Sequence, residues 1–346
     1  MADLRIDLYS DTITRPTPGM RAFISQAEVG DEQQQEDPTV NRLVETVCEL
    51  LDKEAAVFLP SGTMCNEIAV RVHCRPGDEI ILDQTAHLWH FEAGAPAALS
   101  GAMLQPLAGR RGVFTAEQVE AAIRPIDNHS PRSRMVSVEQ TSNGGGGTVW
   151  PLDTIHKIWA TADRYGLAKH MDGARLFNAV TASGIPARDY AAGFDSVWID
   201  FSKGLGAPVG AVLAGSKEFI REAWRWKTQF GGAMRQAGII AAGALYALQH
   251  HVERLAEDHA NAQTLARGLA GLTGIRVEPV ETNLVYFDVA DLGISGEAFN
   301  RALIERGLRV SEMGSTRLRA VTHLDVSRAQ VEQALEIMRA VVQESG

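Results

Sequence analysis

Between residues 55 and 214, short apolar runs alternate with longer stretches of helical spacing, and this alternation is what most limits the fold. Residues 55–60, 79–82, 135–139, 167–171 and 196–201 are short apolar runs, the last of them rich in β-branched and aromatic side chains. They read as buried strands. The intervening stretches 62–74 and 152–165 carry a helical period. Strands that alternate with helices specify an α/β fold around a mostly parallel sheet. Residues 209–214 follow a tight glycine turn, which predicts an antiparallel return. Helical spacing recurs at 41–52 and 217–227, and again in a long, interrupted stretch from 238 to 270. A second unit then reads as strands at 275–279, 283–289 and 317–321, with helices at 296–306 and from 327 onward. The expected organisation is an N-terminal arm over 1–20, a large domain over 21–250 and a smaller α+β domain over 251–346. The arm is too polar for a core element, and composition favours a frayed terminus slightly over one that lines a cleft or crosses to a partner.

Charge and composition exclude several function classes. A net charge of −10 with no Lys/Arg cluster argues against nucleic-acid binding. The longest apolar run, 237–248, is too short to span a bilayer, and the acidic N-terminus carries no hydrophobic signal core. Cys48, Cys65 and Cys74 are odd in number and form no CxxC, as expected of free thiols in a reducing compartment. The cytoplasm is the expected location.

The chemistry-bearing residues stand at strand ends. The strand at 196–201 is followed by Ser202 and Lys203, then by two glycines within three residues. A poorly solvated lysine there would be nucleophilic and could form a Schiff base with an aldehyde cofactor. The strand at 167–171 ends in Asp172, a carboxylate that needs a cationic partner if buried. The protonated pyridine nitrogen of pyridoxal phosphate is such a partner. Ser61, Gly62 and Thr63 join a strand to a helix N-terminus, which suits an anion or plain helix capping. Triphosphate and dinucleotide glycine fingerprints are absent after the first strand. His87 and His90 could share a helix face beyond another strand end. Without a further ligand they do not make a metal site, and a satisfied structural histidine is the default reading of each.

Together these residues resemble the low-specificity L-threonine aldolases, fold-type-I pyridoxal-phosphate enzymes. The similar segments run in order from Leu8-Tyr-Ser-Asp-Thr12 through His170-Met-Asp-Gly-Ala-Arg175 and Ser202-Lys-Gly-Leu-Gly206 to Leu318-Arg-Ala-Val-Thr-His323. The resemblance implies that Lys203 carries the cofactor, Asp172 pairs with its ring nitrogen, and His87 stacks on the ring and acts on substrate. It implies phosphate binding by Ser61, Gly62 and Thr63, with Ser202 beside the lysine, and a substrate carboxylate held by Arg175, Arg319 and Ser10. Arg235 would reach a phosphate across a subunit interface in a homo-oligomer, with a dimer as the active-site unit within a tetramer. The implied reaction cleaves L-threonine or L-allo-threonine to glycine and acetaldehyde. Another pyridoxal-phosphate lyase, an aldolase for a bulkier substrate and a non-catalytic binding protein are the alternatives. Two departures stand out: Ser142 occupies a position where relatives carry a histidine thought to touch the β-hydroxyl, and Gln34-Gln35-Glu36 replaces a Tyr-Gly segment. Both are expected near the substrate side chain.

Overall fold

The computed structural model describes residues 4–345. Its strands in chain order are β1 (Ile6–Asp7), β2 (Ala55–Leu59), β3 (Asp78–Asp83), β4 (Met103–Leu107), β5 (Arg132–Glu139), β6 (Ala168–Gly173), β7 (Ser196–Asp200), β8 (Ala211–Gly215), β9 (Arg276–Val277), β10 (Leu284–Asp288), β11 (Leu308–Arg309), β12 (Ser311–Glu312) and β13 (Arg317–Val321). Seven of them form a central sheet in the order β2-β8-β7-β6-β5-β3-β4. Every neighbouring pair is parallel except the two that involve β8. The antiparallel return expected after Lys203 is therefore β8.

Alternation along the strands explains why helices cover both faces. Ala56, Phe58, Val197, Ile199, Val212 and Ala214 point into one core. Val57, Leu59, Trp198, Ala211 and Leu213 point into the other. A sheet apolar on both sides must be covered on both sides. Helices Pro38–Leu51 and Gly238–His250 pack in the first core, and Gly62–His73 with Lys217–Gln229 in the second. Strand β4 is absent from the sequence reading. It lies at the sheet edge and contains Pro106, whose missing N–H an edge tolerates.

A separate core forms around β10 and β13 with helices Leu255–Ala270, Gly296–Glu305 and Arg328–Ser345. Strands β12-β13-β10-β9 make its antiparallel sheet. The long stretch 238–270 is two helices, Gly238–His250 and Leu255–Ala270, broken by a turn at 251–254.

From residue 4 onward the N-terminal arm is ordered, which corrects the frayed reading. β1 pairs in parallel with β11, and Ile6 and Leu8 are buried among residues of the C-terminal core. Leu8 donates its N–H to Arg309 and accepts one from Val321. The polar composition misleads because the arm's acids are satisfied by distant partners. The boundary expected at residue 20 also falls inside a helix, Pro18–Ser25.

Leu8→Ala should remove about 2–5 kcal/mol of stability, the range for truncating a fully buried leucine. Urea unfolding would measure this, and a change under about 1 kcal/mol would show that the arm packs loosely.

Candidate active site

The C-terminal ends of β2, β3, β5, β6 and β7 open onto one cleft of about 780 Å³. The C-terminal core closes its other side through Val310, Ser311 and Arg319. Ligand crevices form where strand ends of such sheets meet. Of the residues expected in the site, Ser10, Ser61, Gly62, Thr63, His87, Asp172, Arg175, Ser202, Lys203 and Arg319 all line this cleft.

Asp172, next to last in β6, is a buried carboxylate with only neutral donors. Its Oδ2 accepts from Asn66 Nδ2 at 3.0 Å and its Oδ1 from the Ala174 N–H at 3.0 Å. No arginine or lysine pairs with it within 4 Å among the described residues. Burial without a counter-charge is costly, so a cation in the cleft fits this site. A protonated pyridine nitrogen is such a cation.

The donor Asn66 is the hub of a buried chain that can be given a direction. The Trp198 indole can only donate, and its Nε1 meets Asn66 Oδ1 at 2.7 Å. That oxygen also meets His170 Nε2 at 3.0 Å, so Nε2 donates. His170 Nδ1 must then accept from the Ser196 hydroxyl at 2.8 Å, which in turn accepts from His73 Nε2 at 2.9 Å. Burial lowers His170 to about 3 and His73 to about 4, so both rings are neutral in this chain of donors. Asn66 Nδ2 spends its donors on Asp172 and on Glu92 Oε1, at 3.0 and 2.7 Å.

Glu92 Oε1 also accepts from His87 Nδ1 at 2.9 Å. The partner at Nδ1 leaves Nε2 as the basic nitrogen of the neutral ring. Burial disfavours the His87 cation. The Glu92 hydrogen bond, helped by the charges of Asp172, Glu92 and Glu139, outweighs that and raises His87 above its ordinary value. Glu139 accepts the backbone N–H groups of His87 and Asn143, both at 2.7 Å. Burial, reinforced by Asp172, lifts its carboxyl to about 7 despite those donors. His90 turns away to the Gln84 carbonyl at 2.7 Å. No group of metal-ligating side chains occurs among the described residues.

Lys203 has an acidic neighbour. Its Nζ lies 3.0 Å from Asp200 Oδ2 and 5.7 Å from the centre of the Trp198 ring. Ser202 lines the cleft, but its hydroxyl donates to Asp200 Oδ1 at 2.7 Å. Ser61 caps helix Gly62–His73 by accepting from the Met64 N–H. The N–H groups of Gly62 and Thr63 have no intrahelical acceptor and suit an anion. A Cβ at Gly62 would fall 2.2 Å from the Trp198 ring, so glycine there lets the indole form the cleft wall.

The two arginines differ. Arg175 donates Nε and Nη2 to Asp11 at 2.8 and 2.7 Å, and both residues are buried. Burial alone would push the Asp11 carboxyl up, but the guanidinium overcomes it and holds the carboxyl well below the usual carboxylate range. Arg319 has no acidic partner among the described residues. Its Nη1 meets Asn143 Oδ1 at 2.8 Å, and its buried Nε has no partner. Arg319 is therefore the cation without an acidic partner in the cleft, while Arg175 is already paired with Asp11. Ser10 Oγ accepts from both Thr12 donors at the cleft edge.

Three of the expected features lie outside the cleft of this chain. Ser142 is buried behind the cleft, with its Oγ accepting from the Gly145 N–H, and a Cβ at Gly112 would sit 1.8 Å from it. The 34–36 segment lies outside the cleft. Its neighbours Asp31, Glu32 and Gln33 bind the loop that bears Arg235. Arg235 itself, with its side chain 62% exposed, pairs with Asp31 outside the cleft of its own chain. Asp11, Asn66, Glu139, Trp198 and Asp200 also line or support the cleft, and no local signal singles them out. The run Ala86-His-Leu-Trp-His-Phe-Glu92 puts Glu92 just beyond a strand end among groups able to line a cleft, but nothing local joins it to residue 66.

The β-eliminating lyase family model matches residues 7–292. The low-specificity L-threonine aldolase of Escherichia coli K12 is 41% identical over 97% of this chain and 98% of its own. A probable low-specificity L-threonine aldolase of Arabidopsis thaliana is 40% identical over 97% of each. Among solved structures, a Leishmania major threonine aldolase superposes with a TM-score of 0.83 at 20% identity, covering 97% of this chain and 99% of that one. A putative L-allo-threonine aldolase of Listeria monocytogenes gives 0.81 at 21% identity, covering 99% and 97%.

Asp11→Asn leaves Arg175 buried without its counter-charge and should cost about 3–5 kcal/mol at neutral pH. Because the folded carboxyl lies below its unfolded value, wild type keeps this stability above about pH 4 and loses it as pH falls further. Urea midpoints of the two proteins should therefore converge in acid; a gap that stays constant with pH would mean the ion pair contributes nothing.

Proposed function

This chain belongs to the β-eliminating lyase family, within its low-specificity L-threonine aldolase group, and from that premise we propose how its own residues do the work. The protein is a pyridoxal-phosphate-dependent aldehyde-lyase that cleaves the Cα–Cβ bond of L-threonine or L-allo-threonine to glycine and acetaldehyde. The observation that carries the assignment of roles is a convergence. Lys203, the Asp172 carboxylate with no cationic partner and the Arg319 guanidinium with no acidic one line one cleft.

Pyridoxal phosphate, when bound, supplies the sink for the electron pair released as the Cα–Cβ bond breaks. Lys203 is the amine to which it attaches, and Asp172 keeps the proton on its ring nitrogen. Asn66 holds Asp172 in place from behind. The first-turn N–H groups of Gly62 and Thr63, with the Ser61 hydroxyl beside them, take the phosphate. Arg319 binds the substrate carboxylate through its guanidinium, with Ser10 beside it, and so fixes which bond at Cα is aligned for cleavage. Arg175 shapes this end of the cleft through Asp11. His87 removes the β-hydroxyl proton at Nε2, because Nδ1 is held by Glu92.

Arg235 belongs to the active site of a neighbouring copy; its exposure outside its own cleft supports that reading. The working unit is then a dimer, within a tetramer. The small domain begins at the 251–254 turn, with the arm folded onto it. No described helix is long and apolar enough to cross a membrane. All three cysteines are unpaired, which supports the reducing cytoplasm as the location.

Purified holoenzyme with L-threonine, L-allo-threonine and L-serine in turn should give glycine and acetaldehyde from a threonine isomer. A visible cofactor band without any glycine would move the activity to a neighbouring reaction such as β-elimination. Lys203→Ala should lose the visible band of lysine-bound cofactor. His87→Ala should keep that band and lose turnover by a factor of roughly 10²–10⁴, the usual contribution of a general base. Near-normal turnover in the latter variant would remove His87 from the mechanism.

A further inference from the structure

Three buried carboxylate oxygens on Glu67 and on Glu92, the partner of His87, lack a donor: both of Glu67 and Oε2 of Glu92. Glu67 follows Asn66 on helix Gly62–His73, is 2% exposed, and directs its carboxyl at that of Glu92. Oε1 of Glu92 is already occupied by Asn66 and His87. Neither glutamate has an arginine or lysine within ion-pair distance among the described residues. Arg71, one turn further along the helix, lies over the Trp226 ring at 4.3 Å, and its Nε has no partner. Two acceptor-only carboxylates facing each other out of water leave each other's lone pairs unsatisfied, a cost of several kcal/mol. One proton removes the conflict, since a carboxylic acid donates where a carboxylate cannot. Burial first, and then Glu92, raise the Glu67 carboxyl to about 9, in the same direction.

We infer that Glu67 is a protonated positioning residue for the reaction proposed above, its O–H donating to Glu92 Oε2 so that Oε1 is left to hold His87 by Nδ1. The inference rests on the reading of His87 as the base. Three carboxylates face His87, namely Glu92, Asp172 and Glu139. Of these, Glu92 is the one that touches its ring and the one that Glu67 touches. A donor at Oε2 draws charge away from Oε1. Its loss concentrates charge on the bond to His87, favours the imidazolium and delays release of the base as pH rises.

The test uses holoenzyme, Glu67→Gln and Glu67→Leu. Infrared spectra at neutral pH should show a carboxylic-acid C=O stretch in wild type that disappears in Glu67→Gln. Glutamine keeps a donor at the same place, so its kcat should stay within about twofold and its acid limb should not move. Leucine has none. Its acid limb should move to higher pH, with a loss in kcat at neutral pH of about tenfold, equivalent to one pKa unit or ~1.4 kcal/mol, and an unchanged KM. Retention of the visible cofactor band separates this effect from misfolding, and the Glu67→Gln spectrum decides the proton even if the leucine variant does not fold. A wild-type spectrum without the acid band, as an ionised Glu67 paired to Arg71 would give, overturns the inference. So do acid limbs that coincide in all three proteins, or a glutamine limb displaced as far as leucine's. If no threonine isomer yields glycine, the functional reading fails, yet the infrared band still reports on Glu67.

Discussion

One buried amide holds the site in register. Asn66 Nδ2 gives its two protons to carboxylates that belong to different elements, Asp172 on β6 and Glu92 beyond β3. Its Oδ1 is pinned by Trp198 on β7 and by His170 on β6. Because the indole can only donate, the amide cannot turn over, and every partner downstream inherits a defined donor or acceptor role. The same amide thus fixes the Asp172 carboxylate and, through Glu92, the tautomer of His87. Burying so many polar groups is tolerable only because the network is nearly complete.

The cleft lies between two cores, and a second buried contact joins them. Asp11, on the arm, closes on Arg175 from the large sheet, and Asn283 at the start of the small sheet donates to the same carboxylate at 3.1 Å. Three segments distant in sequence meet at one charge pair. The pair consumes Arg175, and Arg319 on β13 is left as the open cation. Which arginine is free is thus decided by the arm.

The sequence made the sheet and the strand-end residues Asp172 and Lys203 legible for local reasons. A β-branched run followed by Ser202-Lys203-Gly204 is a strand end whatever surrounds it, and the same holds for Asp172. What escaped was non-local. Nothing near Asp11 announces a partner 164 residues away, so its polar surroundings read as a loose end. Asp200 sits three residues before Lys203, yet its contact depends on how the turn folds back. Strand β4 carries a proline that demotes it in any local reading. Ser142 shows the limit of reasoning by position, because a residue so small fills a niche among Gly112 and Gly145 instead of facing the cleft.

The pairing of β1 with β11 has a consequence for how the protein is made. Asp7 and Arg309, joined across those strands, are 302 residues apart. During synthesis the arm precedes its partner strand by about 300 residues, so Ile6 and Leu8 stay apolar and unpartnered until β11 leaves the ribosome. The large sheet can assemble on the nascent chain, since its strands end at residue 215. Cleft closure, however, is a post-translational event that depends on the last strands. A ribosome stalled anywhere before β11 would hold out a folded sheet with an unfinished site and an adhesive N-terminus, the species most exposed to chaperones and proteases.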